Sequence, residues 1–139
     1  MSMPIGLQSA RSRPSLPHRI AARAVVPVAG LLIRLSPRRL SQVLAWLQFG
    51  ARPASHAQAL AARDAVVAVS VRCAGQGCLQ RSVATAALCR LRGVWPDWCT
   101  GVRTEPFRAH AWVEAEGQPV GEPDDTHLFL PVMTVPARR

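Results

Sequence analysis

A cysteine that opens a helix behind a glycine-rich loop, with a histidine further on in a strand, supplies the makings of a nucleophile and its base. Cys78 stands in the stretch Ala74-Gly75-Gln76-Gly77-Cys78-Leu79-Gln80-Arg81-Ser82-Val83. Apolar residues at Leu79, Val83, Ala84, Ala87, Leu88 and Leu91 recur at three-to-four spacing, which predicts a helix starting at Cys78. Gly93, just past Arg90 and Arg92, is its expected C-terminal stop. Cys78 then lies in the first turn, where unpaired backbone N–H groups favour thiolate over thiol. Thiolate is the form that attacks a carbonyl carbon. His110 follows 32 residues later, within Phe107 to Glu116. There Ala109, Ala111, Val113 and Ala115 alternate with His110, Trp112, Glu114 and Glu116, a period of two that predicts a half-buried strand.

A histidine acting as base needs an acceptor on its far ring nitrogen. Gly117 marks a hairpin turn, and Pro119 to Glu122 start the return strand. If the loop is odd in length, paired positions sum to an even number such as 234, with Asp124 opposite His110 and Glu122 opposite Trp112. Glu122 then reaches His110 along a diagonal. An even loop puts Glu122 beside Ala111, on the other face. Acyl chemistry also needs donors for a developing oxyanion. The backbone N–H of Cys78 is the first candidate, with Gln76 or Gln80 as a second. Trp112 reads either as a substrate wall or as cover for the core edge, and Arg81 and Arg103 as contacts to acidic residues or as solvated surface. His18, His56 and His127 read as structural or exposed, and Cys89 as a small buried hydrophobe. The spacing of Cys73, Cys78, Cys89 and Cys99 matches no paired zinc motif, so no metal is expected.

The elements that position these residues fall into two halves. Residues 1–17 hold three prolines and read as a flexible tail, leaving 18–139 as one domain. His18 to Leu35 is weakly helical, with Pro27 as a kink or break. Ser36-Pro37 is a helix-start pair ahead of Leu40, Val43, Leu44 and Leu47, stopping near Gly50. Ser55 caps a helix from His56 to about Val71. After Gly93, Val94 to Trp98 reads as a turn-like link, Cys99 to Thr104 as a short strand and Phe129 to Val135 as a last strand interrupted by Pro131. Helices followed by a small antiparallel sheet make the class α+β.

Composition bounds the rest. With 139 residues, 49% hydrophobic and 18% charged, the chain can bury a real core. Its charge of +9 comes from arginine alone, since lysine is absent. The arginines lie scattered along the chain, so no nucleic-acid site is expected. The apolar run Ala24 to Ile33 is half the length of a membrane span, and no membrane segment is expected. Reduced thiols and a cytoplasmic setting fit the cysteine usage.

The order of cysteine on a helix N-terminus, histidine on a strand and acid on its neighbour is that of papain-like and transglutaminase-like enzymes. Cys78-Leu79-Gln80-Arg81-Ser82, Gly101-Val102-Arg103, Pro106-Phe107-Arg108-Ala109-His110-Ala111-Trp112-Val113-Glu114 and Gly121-Glu122-Pro123 go further. Together they closely resemble the lasso-peptide leader peptidases, stand-alone transglutaminase-like proteins, over roughly residues 18 to 135. The resemblance implies a papain/transglutaminase-like core with Cys78 as nucleophile and His110 as base. It implies Glu122 as the third member, where many relatives carry aspartate; Asp124 is the runner-up. It implies removal of the leader from a ribosomally made precursor peptide, without a cofactor. The implied partners are the precursor, a small leader-recognition protein and a macrolactam-forming cyclase. An acyl transferase on the same scaffold and a non-catalytic scaffold protein are the alternatives.

Overall fold

Serine caps set the phase of the helical half. The computed structural model describes residues 14–75, 77–104 and 107–137, without the side chains of Asp124 and Asp125. Helix α1 (Leu16–Leu32) starts at Ser15, whose hydroxyl accepts from His18 N–H, and runs through Pro27 as a single element. Helix α2 (Pro37–Gln48) opens as its Ser36-Pro37 pair predicts, with Ser36 accepting from Arg39 N–H. Helix α3 (His56–Val69) carries a full capping box between Ser55 and Gln58. It ends two residues short of the expected Val71. Ser70 is extended there and caps a separate short helix, α4 (Val71–Ala74), by accepting from Cys73 N–H.

Helix α5 (Cys78–Leu91) is the centre of the molecule, packed by α1, α3 and the sheet. It is buried on all sides from Gln80 to Ala86, so its apolar stripe describes only part of its surroundings. Several of its polar groups are bonded where they sit. Thr85 Oγ1 donates to the Arg81 carbonyl, and Ser82 Oγ accepts from the Trp98 indole at 3.0 Å. Satisfaction of this kind is what lets polar groups enter a core without a desolvation penalty of a few kcal/mol each.

The second half is a sheet, but its start and its hairpin differ from expectation. Val94 to Trp98 is not merely a link. Strands β1 (Arg52–Pro53) and β2 (Val94–Trp95) pair in parallel, and β3 runs Asp97–Arg103. Strand β4 (Arg108–Ala115) pairs antiparallel with β3, setting Gly101 opposite His110. β4 is covered on both faces at its centre, where Ala111, Trp112 and Val113 are all buried, rather than half-buried. Strand β5 (Gln118–Pro119) is only two residues long, and β6 (Leu130–Val135) pairs with β3, giving the order β5-β4-β3-β6. A bulge between Thr100 and Gly101 carries the β6 pairing from Met133 to Pro131 and leaves Val132 out of register. Trp95 and Trp98 fill the space between sheet and helices.

Candidate active site

Three separate elements deliver the site. Cys78 is the first residue of α5, and the Gly77 before it is pressed against α4: a Cβ there would lie 2.7 Å from the Arg72 carbonyl oxygen. Arg81 ties the same loop down from inside. Its Nη1 donates to the Cys73 carbonyl at 2.8 Å and to that of Gly75 at 3.4 Å. Arg81 is buried, so neither a contact to acidic substrate residues nor a solvated surface describes it. His110 and Ala111 come from β4, beyond the reach of the short β5. The Cys78 sulfur hydrogen-bonds to His110 and to the backbone of Ala111.

Glu122 completes the chain of contacts by an unexpected route. The hairpin pairs Glu114 with Pro119 and Ala115 with Gln118, leaving a two-residue loop of Glu116 and Gly117, both at positive φ. That even loop is the register in which Glu122 belongs beside Ala111, on the wrong face. The odd register that would set Asp124 opposite His110 does not form. Yet Glu122 Oε1 lies 2.6 Å from His110 Nε2. The strand stops after Pro119, and Gly121 at φ +66° turns the chain so that the next side chain points back. A Cβ on Gly121 would stand 2.8 Å from Arg63 Cδ, so the turn also needs glycine for space. The side chain of Asp124 and all of Gln76 lie outside the described residues.

With Nε2 engaged by Glu122, Nδ1 is the ring nitrogen left for the sulfur. Burial works against the Cys78 thiolate, but hydrogen bonds from His110 and Ala111, with the charges of His110 and Arg81, outweigh it. The thiol is held below its ordinary value. Burial likewise disfavours the His110 cation. It is outweighed by hydrogen bonding to Cys78 and Glu122 and by their charges, which lift the imidazole to about 9. The directions are those of a thiolate–imidazolium pair, which titrates as a unit. Desolvation raises Cys73 and pushes Cys89 and Cys99 up to about 12. Among the four cysteines, Cys78 alone is activated.

Trp112, together with two side chains that the sequence did not single out, Phe129 and Arg63, holds the histidine and its acid. Trp112 stacks on the imidazole with centroids 5.6 Å apart at 13°, and Phe129 tilts against it at 5.4 Å. Trp112 is only 2% exposed and donates its indole N–H to Glu114, so it is a floor under His110 and not a wall for substrate. Arg63, from α3, places Nε 3.7 Å from Glu122 Oε2, with both side chains at 3% exposure or less. Gln80 is no oxyanion donor: its amide nitrogen donates to the Val26 carbonyl of α1 at 2.9 Å. The free amides of the first α5 turn remain to serve an oxyanion. Arg103 lies over Phe129, while His18 is buried on α1 and His127 exposed on the turn of 3-10 helix Asp124–Leu128.

The sulfur and the imidazole open on a groove of about 500 Å³. Its walls are Ile33, Leu35 and Leu40 from the α1–α2 corner, Leu79, and the out-of-register Val132 with Met133. Such a site can place an apolar side chain beside a nucleophile, a proton carrier and backbone donors, which is the equipment of acyl transfer. Among the described residues no group of histidine, cysteine and carboxylate side chains could hold a metal ion, and no helix is long and apolar enough to cross a membrane.

Neither the curated proteins nor the solved structures give a match to this chain. A family model does, over residues 22–134, a span that runs from α1 into β6 and contains Cys78, His110 and Glu122. On that match, and with a mixed fold of helices and small antiparallel sheet around such a site, the chain belongs to the transglutaminase-like superfamily, whose members are cysteine peptidases and acyl transferases.

Proposed function

We propose that this protein is a cysteine peptidase that removes the leader from a ribosomally made lasso precursor peptide. The observation that carries the chemistry is the unbroken series of contacts from Cys78 through His110 to Glu122. The substrate class is supported by the sequence blocks around Cys78, His110 and Glu122, which resemble the lasso-peptide leader peptidases.

The Cys78 thiolate attacks the scissile carbonyl carbon, forming the C–S bond while the first-turn amides of α5 receive the oxyanion. His110 passes its proton to the leaving nitrogen, and the C–N bond breaks to release the downstream peptide with a free amine. Neutral His110 then takes a proton from water as the water oxygen attacks the thioester. The C–S bond breaks, giving the leader carboxylate and restoring the thiolate–imidazolium pair. Glu122 holds the ring in orientation and stabilises its cation throughout. No step calls for a metal or an organic cofactor. In this reading the protein works in the cytoplasm. A small leader-recognition protein presents the precursor, and a cyclase closes the macrolactam on the newly freed amine.

The test is cleavage of a lasso precursor by the purified protein together with its recognition partner, followed by mass spectrometry. Hydrolysis leaves leader and core whose masses sum to precursor plus one water, and Cys78→Ala abolishes it with the fold intact. Products joined to an added amine would instead assign acyl transfer. Normal processing by Cys78→Ala would remove the cysteine mechanism altogether, and iodoacetamide labelling of Cys78 no faster than Cys73, Cys89 or Cys99 would favour a non-catalytic scaffold.

A further inference from the structure

The catalytic groove adjoins a second one. Leu35, at the corner between α1 and α2, lines both the groove at Cys78 and a depression of about 370 Å³ that passes Arg39, Gln42, Val43 and Trp46 on α2. Trp46 is 76% exposed there, although folding buries Trp95, Trp98 and Trp112 almost completely. A large aromatic left in water beside a cation marks a contact surface more readily than a spare core residue.

The charge of the molecule points to the same place. Residues 1–63 hold nine arginines and no carboxylate, whereas residues 64–139 hold eight of each. The arginines are scattered, but the acids are not, and the whole net charge of +9 therefore belongs to the first 63 residues. Helix α2, which carries Arg38 and Arg39 exposed at its start, stands in that unbalanced half and supplies Pro37 and Leu40 to the catalytic groove.

We propose that the depression over α2 is a substrate subsite, occupied by a segment of the same peptide whose reacting bond lies at Cys78. Arg39 pairs with a carboxylate side chain of that segment, and Trp46 with Val43 takes an apolar one. The proposal rests on the peptidase reading for its kinetic test but not for its binding test. The occupant follows from continuity and charge. An extended chain leaving Cys78 over Leu35 meets an apolar wall and an uncompensated guanidinium, a combination complementary to an acidic, apolar peptide. Two exposed contacts of this kind are worth about 1.4 kcal/mol together, or tenfold in affinity.

The test uses two synthetic peptides that span the scissile bond and differ only in glutamate against glutamine, with the full-length protein. For the glutamate peptide, Arg39→Glu with Trp46→Ala is expected to raise KM about tenfold at unchanged kcat. The glutamine peptide should respond to Trp46→Ala but not to Arg39→Glu, and added salt should erase the difference between the peptides. Both side chains are exposed, and an unchanged melting temperature checks that the fold persists. Equal KM for the two peptides, or loss confined to kcat, overturns the subsite. If neither peptide is cut, fluorescence anisotropy on the Cys78→Ala protein still decides it. Tighter binding of the glutamate peptide that Arg39→Glu abolishes supports the subsite, and equal binding ends it whatever the protein's chemistry.

Discussion

Cys78 and His110 shift in opposite directions from their ordinary values for reasons that can be removed one at a time. The imidazole is lifted to about 9 by its bonds and charges from Cys78 and Glu122, against the pull of burial. Reactive pairs exist between the lowered thiol value and that upper limit, so the rate of alkylation at Cys78 should rise from acid, plateau, and change again near pH 9 as His110 deprotonates. Glu122→Gln keeps an acceptor oxygen and removes the charge, so the imidazolium loses one of its two supports. We expect the alkaline limb of kcat/KM to move to lower pH, with a fall in rate at the optimum of about tenfold or more. A profile unchanged in position would show that Glu122 only orients the ring. Cys78 and His110 were readable because each sits in a local pattern, a helix start and a period-two strand. Phe129 and Arg63 were not, since each reaches the site from an element whose placement no local pattern announces.

Elements explain how Glu122 comes to His110 in the register that places it on the other face. A register argument assumes that the strand goes on pairing, and by that argument the two-residue turn of Glu116 and Gly117 sends Glu122 to the wrong face. The strand ends after two residues, and a left-handed glycine re-aims the chain. Gly121→Ala therefore meets two obstacles: φ +66° and a Cβ 2.8 Å from a buried arginine side chain. We expect a loss of stability of about 1–3 kcal/mol, read by urea unfolding. Activity should fall further than the unfolded fraction explains, because Arg63 and Glu122 move with the turn. Full activity in the folded fraction would mean that the carboxylate is held by its partners alone. Helix starts at Ser36 and Ser55 were legible, since each cap acts over three residues, whereas the start at Ser15 fell inside the stretch read as a flexible tail. The break at Ser70 was hidden by a run of valines equally at home in helix and strand.

Across the whole molecule, the tryptophans separate what folding requires from what it leaves to solvent. Trp95 donates its indole N–H to the Val135 carbonyl and Trp98 donates to Ser82, so the two tie β6 and α5 to the strands between them. Trp112 lies under His110, and only Trp46 faces water. Composition announced a core but could not say which of four tryptophans would build it, because that depends on contacts between residues far apart in the chain. Steady-state fluorescence reads this arrangement directly. In the native protein, acrylamide should quench one component of the emission readily and leave the rest protected. Trp46→Phe should remove the quenchable, red-shifted component while melting within about 0.5 kcal/mol of the parent. Trp98→Phe removes the indole donor to Ser82, whose hydroxyl keeps its bond to the Leu79 carbonyl, and leaves a void beside α5, for which we expect a loss of about 1–3 kcal/mol and a coupled drop in activity. If Trp46→Phe leaves the quenchable component in place, α2 does not present Trp46 to solvent, and the groove over Leu35 would lose its floor.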